Sequence, residues 1–558
     1  MNRFSRVCRT TVIAAVFALL VRLSASAAPA NGFTINGDDL KAWLTYIASD
    51  ELEGRALFTA GMGLAAAYIE DHLKEWGVRP AGDQGSYLQA VRILGVKSTS
   101  RSTVTVQVGD EVRTFADGTG ITFPGNSGGK QSITLDRVEF AGYGLDAPGI
   151  SHADYAGKNV KNAAVVWLGS QGPKAATDSV RRLLSGRSRY ATDQMGAAAA
   201  ITAERSGTAN AAGASGAANS APDFTTVQRL DAPIPPHVTA NEEFLSFLFS
   251  RASTTYQELK RRADAQEPLP RFRLDDVKIT FNVDADYRVV RTQLSRNVVG
   301  IIEGSDPKLK ETYVAFGAHY DHVGYAEGEL DVEGGGTRRS GAPGRVTAGA
   351  ESDRVWNGAD DDGSGTVALM AIARAFAQGP RPKRSLLFVW HTGEERGLYG
   401  SRYFADYPTV PIERVVAQLN VDMIGRNRDN NRADANTVYL VGSDRISSEL
   451  HALNRDANGS LDRPLTLNYE MNDPSDPEQL YTRSDHDSYA AKGIPIIFFT
   501  TGLHQDYHAN TDEVSKIEFD KMTRITQMVY ETGMKLANLD HAPARDNKGP
   551  RAGNVSGR

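Results

Sequence analysis

The sequence predicts an α/β fold: a mostly parallel or mixed sheet sandwiched by helices, with a small β-rich domain inserted in it. Three observations lead there. From about residue 295 the apolar runs "TYVAFGAH", "SLLFVWHTG", "VVAQLNVDMIG", "TVYLVG" and "IPIIFFTTG" have helical patterns between or after them, among them "TVALMAIARAFAQ", "RISSELHALNRDA" and "FDKMTRITQMVYETGMKLAN". Near-continuous apolar strands are the mark of strands covered by helices on both faces. Between 130 and 250 the texture changes to short strand patterns and small residues. Ionisable residues, finally, collect where the apolar strands stop, and ligands bind at the carboxyl ends of such sheets.

Taken in order, residues 1–27 read as an export signal. Arg3, Arg6 and Arg9 precede a short apolar core, "TVIAAVFALLV", and small residues follow up to Ala27. That core is about 11 residues, against the roughly 20 needed to span a bilayer. Residues 28–129 form the first part of the main domain. "DDLKAWLTYIASDELEGR" and "GMGLAAAYIEDHLKEWGV" have helical spacing, with carboxylates leading the first and Gly77 closing the second. "STVTVQVGDEVRTF" alternates as a strand hairpin does. Residues 130–250 are the insertion, with strands at "AAVVWLG" and "AAAAITAE" and a strand plus capped helix at "PIPPHVTANEEFLSFLFS". Inside it, Ser206 to Asp223 is too poor in apolar residues to build a core and is expected as a loop. Residues 251–540 carry the strand–helix alternation, and 541–558 are expected as a disordered tail.

Composition narrows the function. The chain of 558 residues has a net charge of −6, and removing residues 1–27 takes away four arginines and no acid. An acidic mature protein is a poor partner for nucleic acid or an anionic membrane. The single cysteine, Cys8, leaves with the signal, so any metal must be held by His, Asp and Glu. An exported chain without disulfides suggests a periplasmic or secreted enzyme.

The polar residues fall in a pattern. "YVAFGAH" ends in His319 with Asp321 two residues on, "LLFVWHTG" runs into Glu394 and Glu395, and "VVAQLNVD" ends at Asp422. "IPIIFFTTG" leads to His504 and His508, and "NGADDDGSG" places three aspartates on a Gly-rich turn before a helix. An EF-hand beginning at Asp360 would need glutamate at its twelfth position, where Ala371 stands. Each signal alone has a plain structural reading, a solvated turn or a core histidine. Together they suit a zinc-type cation, and the surplus of ligands suits two cations sharing a carboxylate.

At these residues the sequence resembles the co-catalytic di-zinc aminopeptidases, the leucyl-aminopeptidase-like metallopeptidases of clan MH. The match runs through "IASDELEGR", "GAHYDHVG", "NGADDDGSG", "HTGEERGLYGS", "NVDMIG", "SDHDSYAAKGIP" and "YHANTDE". Residues 130–250, with "FAGYGLDAP" and "YAGKNVKNAAVV", are similar to the protease-associated domain inserted in many members. The resemblance implies the zinc-dependent exopeptidase fold, a peptide substrate and two Zn2+ per chain. It makes Asp361 the bridging ligand, His319 and Asp422 ligands of one zinc, and Glu395 and His508 ligands of the other. Glu394 becomes the general base, Asp362 follows Asp361 through a cis peptide, and Asp321 orients His319. Asp485 and His486 are expected as outer supports. Tyr507 is expected either to donate to the oxyanion or to pack. His322 and His504 lie nearby with no ligand role.

Between His319 and Asp361, "AEGELDVEGGGTRRSGAPGRVTAGAESD" (326–353) is expected as a rim loop without a core. A carboxypeptidase or dipeptidase, a glutaminyl cyclase with one zinc, and an inactive receptor-like protein remain alternatives on the same fold. Oligomeric state is not legible in the sequence.

Overall fold

The computed structural model describes residues 35–176, 178–204, 223–225, 228–328, 330, 341–473 and 476–546. The export signal at 1–27, the loop at 206–223 apart from Asp223, and residues 547–558 of the expected tail lie outside the described residues. No helix among the described residues is long and apolar enough to cross a membrane.

The main sheet is built from β1 (Leu88–Ser100), β2 (Ala285–Ile302), β3 (Tyr313–His319), β4 (Ser385–His391), β5 (Val415–Val421), β6 (Thr437–Val441), β7 (Thr466–Asn468) and β8 (Ile496–Thr500). Its order is β1-β2-β4-β3-β5-β8-β6-β7, with Asp223–Thr225 beyond β1 and Arg79–Pro80 beside β2. The four strands β4, β3, β5 and β8 are mutually parallel. The sheet is mixed because β2 meets β4 antiparallel and β6, from "TVYLVG", meets β8 antiparallel.

The apolar runs are continuous because both faces are covered. On β3, Val314, Phe316 and Ala318 join one core while Ala315 joins the other. The first core receives α1 (Gly37–Ile47), α2 (Ala60–Glu75), α3 (Gly365–Gln378), α5 (Ser448–Gly459) and α6 (Phe519–Asn538). The second receives α4 (Tyr399–Asp406) through Phe404. Three of these helices start at a side-chain cap. The side chains of Asn36, Thr59 and Ser447 accept backbone N–H groups of the first turns of α1, α2 and α5. Gly77 closes α2 with φ +73°, the left-handed conformation that favours glycine. Phe316 sits at the centre of the first core, stacked on Phe388 at 5.2 Å with Phe376 of α3 beside it at 5.7 Å. Phe316→Ala should cost about 3–5 kcal/mol in urea unfolding, the usual loss for a buried phenylalanine.

The long strands β1 and β2 pair from Leu88↔Val298 to Ala285↔Ser100 and lead into a second body. There a four-stranded sheet, which includes the hairpin Thr103–Val108 and Glu111–Ala116, faces a six-stranded sheet. In the latter Ala164–Trp167, Ala199–Ala203 and His237–Ala240 run parallel. Their shared core extends from Val104 to Val283, on both sides of the 130–250 segment, because strands on either side of that segment pair with one another.

Residues 541–546, expected at the start of a disordered tail, lie against α5. Asp546 accepts the backbone N–H of Ser448, placing a carboxylate at a helix start where the dipole favours it.

Candidate metal centre

Three neighbouring parallel strands open onto one edge of the sheet. His319 ends β3 in register with His391, which ends β4. Asp422 follows β5, and Glu394 and Glu395 lie on the turn after β4. The aspartates 360–362 occupy the turn that enters α3, and the loop after β8 brings in His508.

These residues meet around one carboxylate. His319 Nε2 lies 3.4 Å from Asp361 Oδ1 and 3.7 Å from Asp422 Oδ1. On the other side, His508 Nε2 lies 3.1 Å from Asp361 Oδ2 and 2.8 Å from Glu395 Oε2. His322, with no ligand role expected, has Nδ1 2.8 Å from Glu395 Oε1 and 4.0 Å from Asp361 Oδ2. Two sets of ligand atoms, from His319, Asp361 and Asp422 and from His322, Asp361 and Glu395, each fall within 4.8 Å of one another. Glu394 belongs to neither set, its Oε2 lying 4.0 Å from His319 Nε2.

The three consecutive aspartates divide the work. The Asp361–Asp362 peptide is cis. Asp362 accepts the N–H groups of His319, Gly365 and Met423, tying the ends of β3 and β5 to the first turn of α3. Asp360 accepts from Gly425 N–H, and its other oxygen lies 3.2 Å from His504 Nε2. Asp512 in turn accepts the N–H groups of Asp360 and Asp361. His504 is therefore held behind the centre rather than in it.

Two expected supports act through other atoms. His319 Nδ1 bonds the backbone carbonyl of Asp321 at 3.1 Å, while the Asp321 carboxylate is 3.8 Å away and accepts Glu394 N–H. The side chain of Asp321 thus orients the Glu394 turn, because the tight strand end presents the carbonyl to the imidazole first. Asp485 faces His391 at 3.4 Å, and Asp422 is supported by the Ser484 hydroxyl at 2.7 Å. His486 bonds the carbonyl of Tyr481. Tyr507 stacks on His508 with ring centroids 4.0 Å apart, and its hydroxyl accepts from Arg483.

The electrostatics ask for positive charge. Burial, with Glu395 and Asp422 adding to it against His319, pushes the Glu394 carboxyl well above its ordinary range. Burial raises Asp362 as well, with Asp422 adding to it. Burial would raise Asp361 too, but His319 and His508 outweigh it and hold that carboxyl low. Asp361 Oδ2, Glu395 Oε1 and both His322 ring nitrogens are buried without a well-aligned hydrogen bond, the carboxylate oxygens meeting only the imidazoles 2.8 to 3.1 Å away. Orphaned buried polar atoms of this kind are costly without a partner. Imidazole nitrogens and carboxylate oxygens together form the donor set of first-row divalent cations, so the residues fit such a group.

Two arginines hold the segments that carry the candidate residues; sequence reasoning gave Arg55 no role and grouped Arg345 with loop arginines as candidates to clamp a substrate carboxylate. Arg55, fully buried, donates to the carbonyls of Ile47, Tyr320, Asn357 and Gly358, joining "IASDELEGR" to the segments that carry His319 and Asp361. Arg55→Met would strand four carbonyls and should cost roughly 3 kcal/mol or more of unfolding free energy. Urea titration checks it. Arg345 donates through its backbone N–H to His508 O and through its side chain to Tyr507 O. The described part of the expected rim loop is thus a strap on the His508 loop. It also packs a small core of Ala326, Val346 and Trp356, since Trp356 is one of the few large apolar side chains nearby.

The centre lines a pocket of about 40 Å3 with Met423, Leu480, Arg483, Phe498 and Leu503 around it. Residues 297–533, which include every ligand candidate named, match the model of Peptidase family M28. Leucine aminopeptidase 1 of Trichophyton equinum is 26 % identical over 254 residues, 44 % of this chain and 58 % of its own. The chain thus spans little more than half the length of that relative. Among solved structures, the aminopeptidase from Aneurinibacillus sp. strain AM-1 is 18 % identical, with 92 % of this chain and 95 % of that one covered and a TM-score of 0.44. BSAP, a zinc aminopeptidase from Bacillus subtilis, is 16 % identical, with 92 % and 98 % covered and a TM-score of 0.43.

Proposed function

We propose that this chain, which carries a Peptidase family M28 domain over residues 297–533, is an exported zinc aminopeptidase that removes amino-terminal residues from peptides. The observation that carries the reading is Asp361. One of its oxygens faces His319 and the other faces His508, so one carboxylate serves two cation positions.

Under this reading His319, Asp361 and Asp422 hold one Zn2+, and Asp361, Glu395 and His508 hold the second. Zinc held there would supply Lewis acidity toward the scissile carbonyl and toward water. Glu394 takes the proton of the attacking water and returns it to the departing amine. Its backbone N–H is fixed by Asp321, so the carboxylate is aimed before substrate arrives. Tyr507, held by Arg483, donates its hydroxyl hydrogen toward the developing oxyanion. The walls of Met423, Leu480, Phe498 and Leu503 receive an apolar first side chain and exclude water around it.

A free peptide and its amino-terminally acetylated form, assayed side by side, test the aminopeptidase reading. Only the free peptide should be cleaved, and equal cleavage of both would end that reading. Arg483 favours a second reading, carboxypeptidase or dipeptidase action, because it lines the same pocket and could pair with a substrate carboxylate. Glu478 already answers part of that charge at 3.1 Å, which weighs against it. Chelation should abolish turnover and lower thermal stability. Metal held at 100 times its Kd stabilises by about 2.7 kcal/mol, and calorimetry with and without chelator reads the difference. Export is tested by amino-terminal sequencing of the mature protein, which should begin just after Ala27.

A further inference from the structure

His322 is buried, at 2 % exposure; its Nε2 makes no hydrogen bond, and its Nδ1 is answered by a carboxylate that is itself buried. A buried imidazole in that state is costly unless something else satisfies it. Its backbone is fixed: the N–H of His322 donates to Arg55 O, and the Arg55 side chain clamps Tyr320 O on the same segment. Nδ1 points at the acids of the second cation position, 2.8 Å from Glu395 Oε1 and 4.0 Å from Asp361 Oδ2. His508 approaches the same two carboxylates from the other side, the two rings 5.8 Å apart and inclined at 73°. Room for the ring is built into the turn opposite. A Cβ at Gly358 would lie 2.5 Å from His322 Cγ and Cδ2, and Gly358 has φ +56°, so a side chain there is excluded twice over.

We propose that His322 is a protein ligand of the second cation, its Nδ1 joining Asp361, Glu395 and His508. This rests on the two-cation reading above and adds one imidazole to its five ligand residues. The lone pair on Nδ1 is offered with the ring proton on Nε2. The second position then has two imidazoles and two carboxylates, against one imidazole and two carboxylates at the His319 position. The two ions become chemically distinct, with the second favouring softer, nitrogen-preferring metals such as Zn2+ or Co2+.

The test is a titration of metal-free full-length protein with Co2+, following both binding steps by calorimetry and the ligand field by visible absorption. Wild-type protein should take up two ions. In His322→Ala one step should weaken roughly 10- to 100-fold, with the other unchanged and the absorption of the weakened ion altered by the lost nitrogen. Two unchanged steps and an unchanged spectrum in a folded variant would overturn the role for His322. Should His322→Ala fail to fold, His322→Gln decides, since it keeps polar bulk without the imidazole: one weakened step with the nitrogen signature lost supports the proposal, and two unchanged steps with an unchanged spectrum overturn it. Wild-type protein binding fewer than two ions would overturn the two-cation reading and His322 with it, a failure visible before any variant is made.

Discussion

Glu394→Ala should bind metal as the wild type does, unfold at the same urea concentration, and lose roughly 10²- to 10⁴-fold in kcat, the range a general base contributes. The expectation follows from how two adjacent glutamates diverge. Glu395 is engaged by both His322 and His508, whereas the Glu394 side chain makes no such short contact and stands 4.0 Å from His319. Removing Glu395 would therefore disturb the cation position, and removing Glu394 should not. Glu394→Gln is the companion variant, since it preserves shape while abolishing proton transfer. KM should change little in either, because the loss falls on the transition state. Metal content measured on the same samples separates the two causes. A variant that keeps full turnover removes Glu394 from its role, and one that loses metal shows the residue to be a ligand instead.

Asp361→Ala should have the largest effect of any single ligand substitution. It removes the one carboxylate common to both clusters, so metal content should fall below two per chain and kcat/KM should drop about 10³-fold or more, several kcal/mol of transition-state stabilisation. Asp362→Ala is the informative contrast. Its carboxylate bonds the backbone of His319, Gly365 and Met423 and no imidazole, so its loss should appear first as lowered stability. Equal metal affinity in wild type and Asp361→Ala would contradict the shared-ligand reading.

Much of the centre was legible because it sits at strand ends. His319 and Asp422 each close an apolar run, and a polar residue at the end of a buried strand has few explanations. The aspartate turn was legible as a site feature, yet the division of labour was not, since Asp360 and Asp362 bond backbone groups that lie far away in sequence. Arg55 was invisible for the same reason. Its partners are carbonyls near residues 47, 320 and 357, and carbonyls carry no sequence signature. His322 follows Asp321 closely enough to read as a neighbour of the centre, and only the fold reveals that its ring turns toward Glu395. The hairpin at 103–116 and the parallel central strands followed from periodicity. The antiparallel direction of β6 did not, because an apolar run looks the same in either direction. Arg345 was hidden in a Gly-rich stretch whose composition suggests a loop but says nothing of what it ties down.

The most direct test of the account is anomalous diffraction at the zinc edge from crystals of the zinc-loaded protein. Two peaks should appear on either side of the Asp361 carboxylate, roughly 3.5–4 Å apart, one beside His319 and Asp422 and the other beside Glu395, His322 and His508. A single peak, or peaks away from Asp361, would contradict it.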